Sequence, residues 1–235
     1  MSLDVAPTHR TLADIVNDNP STARVLERFG LDYCCGGKRL LEDACTSAGV
    51  SAAEVTEALG ALEESAKAPW QSMGLGELTE HIEATHHAYL YEELPRLEAL
   101  ADKVFAVHGD RHPELARVAA LVKTLRAELE PHMNKEDRVL FPMIRMLDSE
   151  GLAGAPQAAA ISSPIHVMML EHDQAGDLLE QLREATNGFQ PPADGCTSYK
   201  MLYEGCAELM SDTHLHVHKE NNVLFPGAIA LVEQG

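Results

Sequence analysis

The feature that most constrains this chain is a four-residue step that occurs twice. His132 and Glu136 are followed by Val139-Leu140-Phe141-Pro142, and His216 and Glu220 by Val223-Leu224-Phe225-Pro226. In both copies the carboxylate comes four positions after the imidazole, and the phenylalanine five positions after the carboxylate. On an α-helix a step of four stacks two side chains on one face, within reach of one metal ion or of two adjacent ones. One such pair is ordinary on a surface helix. Two copies with matching flanks point to a metal site built from two related halves.

The rest of the composition favours helices to carry these steps. The 235 residues suffice for one large domain, or for a main domain and a small one. Hydrophobic residues make up 45% and aromatics only 5%, and no stretch alternates cleanly enough to read as a half-buried strand. The formal net charge of −19 argues against nucleic acid and anionic membranes as partners. No apolar run approaches the roughly 18 residues of a spanning helix. The first ten residues lack the apolar core of an export signal, so a cytoplasmic location is expected. The five cysteines form no C-x-x-C zinc pattern and are expected to be reduced.

Punctuation along the chain predicts two units, residues 1–68 and 75–235. In the first, after a frayed start, short helices are expected at 12–17 (capped by Thr11), 23–29 (ended by Gly30), 38–48 and 52–66. The last opens on a Ser51/Glu54 capping box. Residues 67–76 carry Pro69, the sole tryptophan Trp70 and two glycines, and mark the boundary. The second unit reads as four long helical segments at about 75–105, 113–147, 163–186 and 197–221. A kink is expected at Pro131 and a stop near Phe225-Pro226, with loops at 149–156 and 187–192. The predicted fold is all-α, an up-down four-helix bundle with a small N-terminal helical domain.

Two imidazoles and two carboxylates are too few for two metals, so the first and third segments should contribute. His172 lies 44 residues before His216, and His87 lies 45 before His132. His86 would give 46, so spacing prefers His87 only weakly. The set becomes His87, His132, Glu136, His172, His216 and Glu220. It suits non-haem iron, with manganese or zinc as alternatives, and two carboxylates can bridge two metals. His214 and His218 are themselves four apart and form a competing clip, but only His216 has a glutamate at the repeat position. Glu128, four before His132, and Glu171, beside His172, read as acids behind the ligands, as alternative ligands or as surface acids. His9, His108 and His112 read as solvated, and His81, His86 and His166 as helix-surface residues or supports for the ligands. Met143, Met168 and Met169 read as core filler.

Cys34-Cys35-Gly36-Gly37 is the other unusual run. A disulfide between neighbours would be strained and labile. The glycines permit close backbone approach and positive φ. Lys38 and Arg39 follow, and could lower a thiol pKa at a helix start. The pair could handle metal, perform redox chemistry or simply form a buried turn. Cys45, Cys196 and Cys206 read as ordinary buried thiols.

These residues resemble a known family. Asp32-Tyr33-Cys34-Cys35-Gly36-Gly37-Lys38 resembles the signature of the ScdA-type N-terminal domain. The segments His132-x-x-x-Glu136-x-x-x-Leu140-Phe141-Pro142, Glu171-His172-Asp173-x-Ala175-Gly176 and Glu220-Asn221-Asn222-Val223-Leu224-Phe225-Pro226 resemble those of hemerythrin-like RIC (repair of iron centres) di-iron proteins. The resemblance covers roughly residues 11–227. It implies a bundle holding two non-haem iron ions (Fe2+/Fe3+), with room for an oxo or hydroxo bridge. It selects His87 over His86 as ligand and places Glu128 and Glu171 near the iron. It also implies restoration of iron–sulfur clusters damaged by nitric oxide or peroxide, with iron–sulfur proteins as clients. Pro131, His214 and His218 depart from the family pattern. Binding or reduction of NO at the metal pair is the competing expectation. Reversible O2 carriage is disfavoured, because the imidazole shell is one short of a carrier's. A homodimer is left open.

Overall fold

A computed structural model describes residues 9–62 and 68–234, and among them all regular structure is helical. The N-terminal unit holds α1 (Leu12–Asp18), α2 (Thr22–Arg28), α3 (Leu41–Ala48) and α4 (Ala52–Gly60). Two predicted caps form: Thr11 accepts from the Asp14 amide at 3.1 Å, and Ser51 from the Glu54 amide at 3.4 Å. Gly30 ends α2 with φ of 66°, the left-handed conformation that costs a glycine least. α3 starts at Leu41 rather than at position 38, because residues 34–39 form the thiol turn. The expected continuation of α4 to 66 lies partly outside the described residues. Leu12, Val16, Leu26, Tyr33 and Leu41 form this unit's own core, against which Leu215 of the larger unit also packs.

The larger unit is a ring of four helical rods. The first runs through α5 (Leu75–Ile82) and α6 (Ala88–His108). The second runs through α7 (Glu114–Lys135) and α8 (Phe141–Gly154). α9 (Ser162–Ala185) is the third, and α10 (Thr197–Lys219) with α11 (Phe225–Gln234) is the fourth. α6 packs on α7, α7 on α9, α9 on α10, and α10 back on α6, closing the bundle.

Three rods carry a π-turn, at Glu83–His87, Glu136–Leu140 and Glu220–Leu224. In the last two, the Phe141 and Phe225 amides reach back five residues to the Glu136 and Glu220 carbonyls. Each extra residue seats the following proline, Pro142 or Pro226, in the first turn of a new helix, where its missing N–H is tolerated. The chain therefore does not stop at Phe225-Pro226 as expected; it continues as α11. α7 continues through Pro131, where the kink was expected, and a π-turn follows it at Glu136. The expected loop at 149–156 is mostly the end of α8, bent at Gly151 (φ 66°).

Two apolar clusters fill the bundle. One includes Leu90, Leu97, Leu125, Leu129 and Leu209; the other includes Ile82, Phe141, Ile165, Leu224 and Phe225. Between them, in chain position on every rod, lies a layer of buried polar residues. Met168 is buried in the second cluster, and Met143 and Met169 pack against it, as core filler should.

Candidate metal centre

The polar layer holds His87, His132, Glu136, His172, His216 and Glu220, each at most 3% exposed. These six form two four-residue sets: His87, His216, Glu136 and Glu220, and His132, His172, Glu136 and Glu220. Both carboxylates belong to both sets. Glu220 places Oε1 2.9 Å from His216 Nε2 and Oε2 3.0 Å from His172 Nε2. Glu136 Oε2 lies 3.3 Å from His132 Nε2 and 3.5 Å from His87 Nε2.

The outward nitrogens explain why the inward ones converge. His87 Nδ1–H donates to Asp137 at 2.6 Å, His132 Nδ1–H to Glu171 at 2.8 Å, and His172 Nδ1–H to the Asn221 carbonyl oxygen at 2.9 Å. A neutral imidazole that donates from Nδ1 presents a lone pair at Nε2. The Nε2 atoms of His132 and His172 then face each other at 3.0 Å, as do those of His87 and His216. Nitrogens at that separation need a proton or a metal ion between them, and only His87, His132 and His172 have their tautomers fixed from outside; His216 Nδ1 has no partner. Both oxygens of buried Glu136 also lack a hydrogen-bond donor, a costly condition that metal ligation would relieve. The donor set fits a pair of metal ions.

The electrostatics agree. Burial lowers the His132 pKa, but Glu136, Glu220 and Glu171 outweigh it and raise the value to about 9. Burial alone would raise Glu220, yet His216 and His172 hold it well below the usual carboxylate range. Burial dominates at His216 and pushes it down to about 4, leaving a neutral imidazole. Protons and a metal compete for these donors.

Several residues stand where the sequence did not place them. Glu128 is exposed on α7, off the buried stripe that runs through Leu121, Leu125, Leu129 and His132. Glu171 does stand behind a ligand. Partial burial pushes its pKa up, but Lys135 and His132 outweigh this and hold it low. His214 lies 3.5 Å from Glu27, and His218 Nε2–H donates to Asn17 at 3.0 Å; both face the N-terminal unit and form no clip. A step of two turns a helical side chain to the far side from His216. His108 is buried rather than solvated, with Nε2 3.2 Å from the Cys196 sulfur, and Cys196 is itself exposed. Of the two readings of His86, burial leaves that of a support: it is buried and stacks on His216. Asp137 and Asn221 were missed. Their signal was the repeat itself, since each directly follows its glutamate.

The thiol turn docks beside this layer. Asn222 donates to the Cys34 carbonyl at 2.9 Å, and Asn221 Nδ2–H points at the Cys35 sulfur at 3.9 Å. Asn221 therefore touches both Cys35 and the candidate ligand His172. The sulfurs are free and 4.0 Å apart. The turn is organised by Asp32, which accepts from the amides of Cys34, Cys35 and Gly36. Lys38 is exposed and Arg39 binds the α3 backbone, and neither is among the groups that shift the Cys34 thiol. The Cys34 thiol is instead pushed well up, first by its hydrogen bond to Cys35, then by burial and Asp32. Gly37 meets the expectation of close approach: a Cβ there would meet Asn222 and lie 2.6 Å from the Tyr33 carbonyl. Neither Gly36 nor Gly37 uses positive φ. A cavity of about 390 Å³ opens on the turn, between Cys34 and Cys35 on one side and Asp173, Asp177 and Glu180 of α9 on the other.

Comparison with known proteins agrees with this geometry. The hemerythrin HHE cation binding domain matches residues 79–228, and the ScdA_N domain of unknown function matches residues 8–63. The chain is 39% identical over 220 residues to a probable iron-sulfur cluster repair protein of Haemophilus influenzae, covering 92% of this chain and 94% of that one. It is 39% identical to the iron-sulfur cluster repair protein YtfE of Cronobacter sakazakii, and 36% identical to YtfE of Escherichia coli O157:H7. Both alignments cover 93% of this chain and 96% of the relative. The chain belongs to the hemerythrin-like RIC family, in which an HHE cation-binding domain follows an N-terminal ScdA-type domain.

Proposed function

We propose that this protein holds two non-haem iron ions between His87, His132, Glu136, His172, His216 and Glu220, and supplies iron to iron–sulfur clusters damaged by oxidative or nitrosative stress. The observation that carries the reading is the pair of facing imidazole couples joined by two shared carboxylates. The names of the relatives supply the direction of the chemistry.

When bound, the metal pair supplies labile iron and positions for a small ligand such as NO or O2. The protein's part is to fix three imidazole tautomers through Asp137, Glu171 and Asn221, and to exclude water from the two carboxylates. Imidazole and carboxylate release iron more readily than a thiolate cage would. The cargo then meets an acidic cavity beside two thiols. Residues 1–68 serve as a delivery module and 75–235 as the iron store. The client is an iron–sulfur protein that has lost metal.

Iron analysis with Mössbauer spectroscopy tests the metal pair, which predicts a two-iron spectrum lost in Glu136→Ala. A Cys34→Ser/Cys35→Ser double variant should keep its iron and lose delivery; loss of iron instead would make the thiols structural. Turnover of NO to nitrous oxide without iron transfer would replace supply by NO reduction as the function.

A further inference from the structure

The two halves of the centre correspond closely but differ at two places: Asp137 behind His87 answers to Asn221 behind His172, and Glu171 answers to His86. Lys135 precedes Glu136, and Lys219 precedes Glu220; Glu171 precedes His172, and His86 precedes His87. In the first half, Lys135 pairs with Glu171, and Glu171 accepts from His132 Nδ1 at 2.8 Å. In the second half, Lys219 Nζ lies 2.7 Å from His86 Nε2, so an imidazole stands where the glutamate should be.

The substitution changes what the fourth ligand receives. His86 does not hydrogen-bond His216; the rings stack, with centroids 5.4 Å apart and an 8° interplanar angle. His216 Nδ1 is buried and has no partner. His86 itself is clamped, with Nδ1 2.8 Å from Asp212 and Nε2 on Lys219.

The charge is inverted as well. Lys135 is half exposed and neutralised by Glu171, whereas Lys219 is 3% exposed. Lys219 Nζ meets His86 Nε2, His81 Nε2 at 2.9 Å, and the face of Trp70 at 4.6 Å. Three acceptors for three N–H donors is the fit of an ammonium. Asp137 behind His87 and Glu171 behind His132 each attract a metal ion, but His216 has no such partner, and the buried Lys219, three residues along the helix from His216 and in contact with His86, repels an ion held there.

We propose that the two metal positions are unequal by construction, and that the one held by His87 and His216 is the weaker and empties first. Resting on the iron-supply reading, this assigns the cargo ion to that side. The ion between His132 and His172 is the one retained.

The test uses the full-length protein loaded anaerobically with two equivalents of ferrous iron and challenged with a ferrous chelator. Release should be biphasic, with the first equivalent leaving about tenfold faster or more, the usual effect of losing a ligand's outer partner. Crystals of half-depleted protein, measured at the iron absorption edge, should show anomalous scattering between His132 and His172. A residual peak between His87 and His216, or equal peaks at both, overturns the proposal. His86→Glu rebuilds the missing carboxylate and should slow the first phase until the two merge; an unchanged first phase also overturns it. The wild-type crystals decide the order if that variant does not fold. Binding of fewer than two equivalents would instead sink the di-iron reading. The predicted order without uptake by a client would sink only supply.

Discussion

Glu220 Oε1 lies 2.9 Å from Nε2 of His216, one turn earlier on the same rod. Its other oxygen lies 3.0 Å from His172, on a different rod. One carboxylate thus belongs to both candidate donor sets, and so does Glu136. Removing either should empty both. Glu220→Ala is expected to take bound iron from roughly two to roughly none per chain, because each position loses a shared donor. Burial lowers the His132 pKa, and Glu136→Leu leaves that imidazole without the carboxylate 3.3 Å away that holds it up at about 9, so the metal-free protein should lose stability while iron binding is abolished. Thermal unfolding with and without iron checks both halves.

Asn221 holds His172 Nδ1 with its oxygen and points its amide at Cys35. Asn221→Ala should weaken iron binding about 10- to 100-fold, as loss of a histidine's outer partner does. It should also change the alkylation rate of Cys35. An anaerobic ferrous titration and a thiol-labelling time course measure the two effects. Weaker iron with unaltered labelling would separate the thiol from the ligand.

Gly37 lies against Asn222 where no Cβ fits. Gly37→Ala should therefore lift the thiol turn from α10 without touching a ligand. Iron content is expected to stay, and labelling of buried Cys34 to accelerate severalfold. Lost iron would show that docking of the turn supports the metal layer directly.

At the far end of the bundle His112 Nε2 lies 3.1 Å from Asp194. That hydrogen bond raises the His112 pKa, against a smaller opposing effect of desolvation, and lowers the Asp194 pKa. A raised histidine contributes stability below its unfolded value of about 6.5, and this is lost as pH rises through the folded value. The lowered aspartate contributes above its unfolded value of about 3.9, and this is lost as pH falls through the folded value. The interaction is therefore strongest in the window between. An NMR titration should place His112 above its ordinary midpoint, and Asp194→Asn should return it.

The buried layer of imidazoles and carboxylates was legible because a step of four survives in the sequence wherever a helix carries it. The near-equal spacings from His87 and His172 added the partners. Lys219 and His86 were not legible as a pair, since 133 positions separate them and only the closed bundle brings them together. The π-turns were invisible too. A proline after a phenylalanine reads as a stop, and only the added residue in the turn lets the helix resume. Glu128 misled for a related reason: a step of four from His132 is close to the buried stripe, but not on it.

The central claim is that iron held in this layer is given to a damaged cluster. The direct measurement is anaerobic incubation of protein loaded with isotope-labelled ferrous iron with an apo iron–sulfur protein, sulfide and reductant, followed by separation of the two. The account predicts labelled iron in a restored cluster on the client, and none when Glu136→Ala replaces the wild type. Labelled iron that stays with the wild-type protein while the client remains empty would contradict it.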